Sequence, residues 1–103
     1  MSEPIRIRAQ IQGEITDIRV LMHHPMETGQ RRDEAGKPVP VHFIQTFSIT
    51  LNGQALIDGQ LNTSISRNPL FAFRAQGIKT GDKLTVSWTD NTGAERQDSI
   101  TVA

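Results

Sequence analysis

Polar and apolar residues alternate along most of this chain with a period of two, the spacing of half-buried β-strands. Ile5, Ile7, Ala9 and Ile11 alternate with Arg6, Arg8 and Gln10, and Gly13-Glu14 breaks the run. Ile18, Val20 and Met22 share a second face opposite Asp17 and Arg19. Leu21 interrupts that alternation and predicts burial on both sides. Phe43, Phe47, Ile49 and Leu51, with Gln45 among them, predict a third strand whose other face carries His42, Thr46, Ser48 and Thr50. Asn52-Gly53 is a two-residue hairpin signal. A short strand over Gln54 to Ile57 returns from it, and Asp58-Gly59 reads as a second turn.

Leu61 to Pro69 has no period. Leu70 to Phe73 is a short apolar run suited to a core strand, and Lys79 to Asp82 is a turn. Leu84, Val86 and Trp88 alternate with polar neighbours, Asp90 to Gly93 turns the chain back, and Glu95 to Val102 completes a hairpin. No window has a helical apolar stripe. About seven short strands separated by turn residues predict an all-β antiparallel sandwich. Its centre is expected to hold Phe43, Phe47, Phe71, Phe73 and Trp88. A chain of 103 residues has room for one such domain, spanning 1–103.

Lys plus Arg and Asp plus Glu are 11 each, so the formal charge is zero. Nucleic acid and anionic membranes need a basic excess, and neither is expected as a partner. Eight of the cations are Arg, whose planar fork suits bidentate contacts. There is no cysteine, which excludes disulfides, Cys-ligated zinc, iron–sulfur clusters and thiol catalysis. No segment has the apolar length of a membrane span, and the first residues lack the apolar run of an export signal.

The stretch from Leu21 to Phe43, between two predicted strands, holds all three histidines and three of the five prolines. Loops of such length are functional or disordered as a rule, and Pro25, Pro38 and Pro40 stiffen this one. Three imidazoles could bind zinc, but adjacent His23 and His24 point to opposite faces of an extended chain. His42 would lie across from one of them, with Glu27 or Asp33 as a distant third ligand. Arg31-Arg32-Asp33-Glu34 reads either as a solvated charged turn closed by Ala35-Gly36 or as a contact for a partner. The glycines are turn residues without a strand–loop–helix phosphate motif, and Asn62-Thr63-Ser64 matches a glycosylation acceptor by type alone. No arrangement of nucleophile and base, and no isolated pair of carboxylates, suggests catalysis. No catalytic residue, metal or cofactor is expected.

The run VLMHHPMETGQRRDEAGKPVPVHFIQ resembles the SoxZ family of bacterial thiosulfate oxidation, whose pattern there is LM-x-HPMETG-x-R-x-D-x-x-G-x-x-[IV]-P-x-HFI. GDKLTVSWTDNTG, Gly81 to Gly93, resembles a second family motif, and Ser66, Asn68 and Pro69 a third. The resemblance implies an immunoglobulin-like sandwich and a non-catalytic subunit of the SoxYZ sulfur carrier. The partner, SoxY, would carry the sulfur intermediates on a C-terminal cysteine arm, in the periplasm, and would supply the export signal. The Pro25–Pro40 loop is then expected to be the specificity element, with Met26, Glu27, Arg31, Arg32, Asp33 and His42 as the partner-binding set. The isolated chain, with a surface uncovered, is expected to self-associate, weakly or as a two-fold homodimer. Two other readings stay open: a copper-handling sandwich using Met22, His23, Met26 and His42, and a cytosolic adhesin-like module of unknown partner.

Overall fold

The computed structural model describes residues 3–103, and these fold into seven strands and no helix. β1 (Arg6–Gln12), β2 (Ile15–Leu21) and β5 (Leu70–Gln76) form one antiparallel sheet in the order β1-β2-β5. β3 (Ile44–Leu51), β4 (Gln54–Gln60), β6 (Lys83–Asp90) and β7 (Glu95–Thr101) form the other, in the order β4-β3-β6-β7. The all-β sandwich expected from the period-two pattern is the architecture observed.

The alternation sets which side chains enter the core. Thr16, Ile18, Val20 and Met22 from the β2 side meet Ile49, Leu84, Val86 and Trp88 from the opposite sheet, all nearly or fully buried. At ~25 cal/mol per Å² of apolar surface, this burial replaces the disulfide that the chain cannot form. The β1/β7 side is closed by Asp98, whose Oδ2 accepts the Ile5 N–H and the Arg96 Nε–H, each at 2.8 Å. β5 and β4 are left at the opposite side. There the Phe47 ring stacks on Phe71 at 5.3 Å and on Phe73 at 6.2 Å. Phe71 and Phe73 are only half-buried.

Two details of the strands differ from the sequence reading. In β3 the inward residue near the start is Ile44, fully buried, and Phe43 lies at the margin. The pairing of β3 with β6 shifts between Ile44 and Thr46, and this bulge puts Ile44 and Phe47, three apart, on one face. Asp58-Gly59 is not a turn but lies within β4, with Gly59 paired to Phe47. The Phe47 ring lies over Gly59, where a Cβ would collide with it.

Residues 27–42 rise from the sandwich between β2 and β3 as a two-legged arm. Its legs are held by the antiparallel bridges Glu27↔His42 and Arg32↔Pro38. The molecule is elongated, 53 × 21 × 20 Å, with a radius of gyration of 15.5 Å, against ~13 Å for a compact chain of this length. Eight-residue strands span only ~27 Å, and an arm with legs of similar length accounts for the rest.

Candidate functional site

The arm is anchored by residues of the stretch His24 to Gly29. His24 lies three residues beyond the end of β2, in step with the inward Val20 and Met22, and is buried. Its Nδ1 accepts the Met26 N–H at 3.1 Å. That contact holds Met26 in the left-handed region, φ 49, where a bulky residue is strained. Met26 is itself buried, and its Sδ accepts the Ile44 N–H at 3.3 Å. Glu27, the next residue, is buried at the start of the first leg and exchanges backbone hydrogen bonds with His42 on the second. Arg31, one turn of the arm away, brings its Nε to both Glu27 oxygens, at 3.0 and 2.8 Å. Gly29 has φ +86, and a Cβ there would sit 2.6 Å from Val41 Cγ2. The legs therefore approach each other as only glycine permits.

Below the arm, the carboxylate of Asp90 at the end of β6 joins two histidines. Asp90 Oδ2 lies 3.0 Å from His24 Nε2 and 2.7 Å from His42 Nε2. Its Oδ1 accepts the Thr92 N–H, the Thr92 hydroxyl and the Ala94 N–H, which fixes the β6–β7 turn. Burial pushes the Asp90 carboxyl up, but the hydrogen bonds from Thr92, His24 and His42 outweigh it and hold the group well below the usual carboxylate range. Burial lowers the His24 pKa, partly opposed by its bond to Asp90. Since Nδ1 of His24 accepts a backbone N–H, its proton sits on Nε2 and the ring is neutral. The rings of His24 and His42 meet edge to face at 4.5 Å, and Trp88 stands edge to face with His24 at 5.2 Å. This knot forms the floor of an open cleft of about 610 Å³ whose rim includes Glu3, His23, Arg67, Asn68 and Thr92.

The tip of the arm is tied by its own side chains. Asp33 Oδ1 accepts the N–H groups of Ala35 and Lys37, both at 2.9 Å, and Arg32 Nη1 donates to the Gly36 carbonyl at 2.9 Å. All residues from 30 to 38 are exposed. Thus the six residues of the expected partner set divide. Met26, Glu27 and His42 build the base, Arg31 braces it with its side chain 58% exposed, and Arg32 and Asp33 shape the projecting tip. His42 does lie across from His24, as the sequence suggested. The third member of the cluster is Asp90, not Glu27 or Asp33, because those two carboxylates are already engaged within the arm. As a turn residue Asp90 was legible in the sequence; its second role was not, because its partners lie 66 and 48 positions away.

Chemically, His24, His42 and Asp90 are the residues whose ligand atoms converge among the described residues, all within 4.8 Å of one another. They do not fit a resident metal. Tetrahedral ligands at ~2.0–2.1 Å from zinc lie about 3.3 Å apart, whereas the carboxylate here is at hydrogen-bond distance from both rings. A metal on Nε2 would also require the His24 proton on Nδ1, where the Met26 N–H points. The copper-handling set fares no better. Met22 is fully buried in the core, Met26 Sδ faces the Ile44 N–H, and His23 Nδ1 turns to Glu3 at 3.5 Å. The cluster is a hydrogen-bonded anchor that holds the arm to the sandwich.

The family model described as Sulphur oxidation protein SoxZ covers residues 5–101, both sheets and the arm included. No curated protein matches the chain.

Proposed function

As the chain belongs to the SoxZ family of sulphur oxidation proteins, we propose that it is the non-catalytic subunit of a SoxYZ-type sulfur carrier. In this reading it works in the periplasm, paired with a SoxY-type protein whose cysteine arm holds the sulfur during thiosulfate oxidation. The cysteine-free sequence agrees with such a division of labour, since this chain has no thiol to carry sulfur itself. The observation that carries the proposal at the level of this molecule is the arm. A segment of sixteen residues that stands clear of the core, braced by an Arg–Glu fork and pinned through Asp90, is a pre-ordered recognition element. Pre-ordering lowers the entropy that a flexible loop would lose on binding.

The test is co-purification of this chain with a SoxY-type protein, followed by Arg32→Glu at the arm tip. Reversing an exposed charge usually changes stability by ~0.5 kcal/mol or less, and Arg32 gives up only an exposed hydrogen bond to the Gly36 carbonyl. At a partner contact it slows association, most at low salt. A SoxY-type protein that fails to bind the intact chain would refute the pairing. One that binds the Arg32→Glu variant as tightly as the parent would refute the arm as the contact.

A further inference from the structure

Of the four edge strands, β5 alone lacks the features that keep sheet edges apart. β1 carries Arg6 and Arg8, and it lies against β7. β7 carries Glu95, Arg96 and Asp98. β4 contains Asp58 and Gly59, and its register slips beside Ile49. β5 reads LFAFRAQ: it is regular over all seven residues, has neither proline nor bulge, and holds one charge, Arg74, drawn to Asp17 on β2 at 3.1 Å. It also carries Leu70, 64% exposed, and the half-buried rings of Phe71 and Phe73.

The backbone of β5 is set for pairing. Met22 N–H donates to the Pro69 carbonyl at 2.9 Å, which makes that pair a hydrogen-bonded one. Hydrogen-bonded pairs alternate in an antiparallel ladder. Along the register Leu21↔Leu70 to Ile15↔Gln76, the N–H and C=O groups of Phe71, Phe73 and Ala75 therefore face β2. Those of Leu70, Ala72, Arg74 and Gln76 face outward.

We propose that β5 is a docking edge and that its occupant is β5 of a second copy, joined about a two-fold axis at Phe73. The register is self-complementary. Antiparallel pairing about Phe73 sets Ala72 opposite Arg74 and Leu70 opposite Gln76, so every hydrogen-bonding pair uses outward groups on both copies. No two arginines face each other. On the inner side Phe73 meets its own mate and Phe71 meets Ala75, covering the open margin of both cores. The product is one continuous sheet, β1-β2-β5-β5-β2-β1, with an isologous interface. It is a property of the chain alone and does not depend on the Sox partner.

Sedimentation of the purified chain at micromolar concentrations tests this, with two variants. Ala72→Pro removes an N–H that faces only the second copy, a substitution that edge strands accommodate. It is expected to give a folded monomer. Ala72→Lys places a cation opposite Arg74 of the other copy, twice per dimer, and is expected to weaken association about tenfold, less so at high salt. A parent chain that stays monomeric overturns the proposal, as does a dimer whose dissociation constant neither variant changes. If Ala72→Pro does not fold, the exposed Ala72→Lys decides by itself.

Discussion

Asp90 accepts five hydrogen bonds, from His24, His42, the Thr92 N–H and hydroxyl, and the Ala94 N–H. Replacing it with Ala leaves the buried His24 ring N–H without an acceptor and releases His42 and the β6–β7 turn. A buried donor left without its acceptor costs ~1–3 kcal/mol, so Asp90→Ala is expected to lower the urea midpoint; a loss below ~1 kcal/mol would show that water replaces the carboxylate. The same cluster sets a pH dependence. His24 is held below its ordinary 6.5 by burial, so below that pH the unfolded chain binds a proton that the folded chain excludes. Stability then falls as the pH drops from 6.5 toward the folded value. The Asp90 carboxyl, held below its ordinary 3.8, gives stability that is present above 3.8 and lost as the pH falls from there to its folded value, which adds a second loss at lower pH. Melting temperatures should therefore begin to fall near pH 6.5. A melting temperature that is flat down to about pH 5 would mean that burial does not lower the His24 pKa in the folded chain. Sequence placed His42 opposite a histidine because the loop joins two strands. It could not place Asp90 there, since an Asp in Asp-Asn-Thr-Gly is sufficiently explained by the turn it makes.

The strands were the most legible elements, because a period of two records which face is buried whatever the partner strand. Legibility failed where backbone geometry breaks the period. The bulge in β3 moves the buried position from Phe43 to Ile44, and nothing in the local alternation announces an extra residue. Gly59 was read as a turn because Asp-Gly commonly makes one, but here glycine is needed for the approach of the Phe47 ring. Gly59→Ala should accordingly cost ~1–3 kcal/mol by overpacking, measured as a shift in the urea midpoint; no shift would mean that the Phe47 ring swings aside. In the arm, the stiffness expected from its prolines proves to rest as much on Glu27, which is buried and answered by Arg31. The sequence placed Arg31 in the partner-binding set, and an exposed contact there would tolerate charge reversal. The geometry gives the opposite expectation: Arg31→Glu sets a second carboxylate against a buried one and destabilises the domain, whereas Arg32→Glu does not. Equal melting temperatures for the two variants would remove Glu27 as the brace of the arm.

At the scale of the whole molecule, two surfaces lie in different places. The exposed arm tip belongs to the β2–β3 connection, and the free edge of β5 is the outer strand of the three-stranded sheet, its centre at Phe73 in mid-strand. If the tip meets a SoxY-type partner while β5 meets a second copy, neither contact blocks the other, and the assembly holds two chains of each kind. The expected mass by sedimentation is thus that of a two-plus-two complex. Single variants should divide it along predictable lines. Ala72→Pro should reduce it to a one-plus-one complex with partner affinity unchanged, and Arg32→Glu should leave the homodimer intact while partner binding weakens. A parent complex of one-plus-one mass, weakened by Ala72→Pro, would show instead that the partner's own strand takes the β5 edge. The zero net charge of the chain bears on the salt dependence of each step. Backbone pairing at β5 is insensitive to ionic strength in the parent, because its only charged side chain, Arg74, faces Ala72 and is already paired with Asp17 on its own sheet. Recognition through the charged arm tip should weaken as salt rises, by the screening that shortens electrostatic range to ~8 Å at physiological ionic strength.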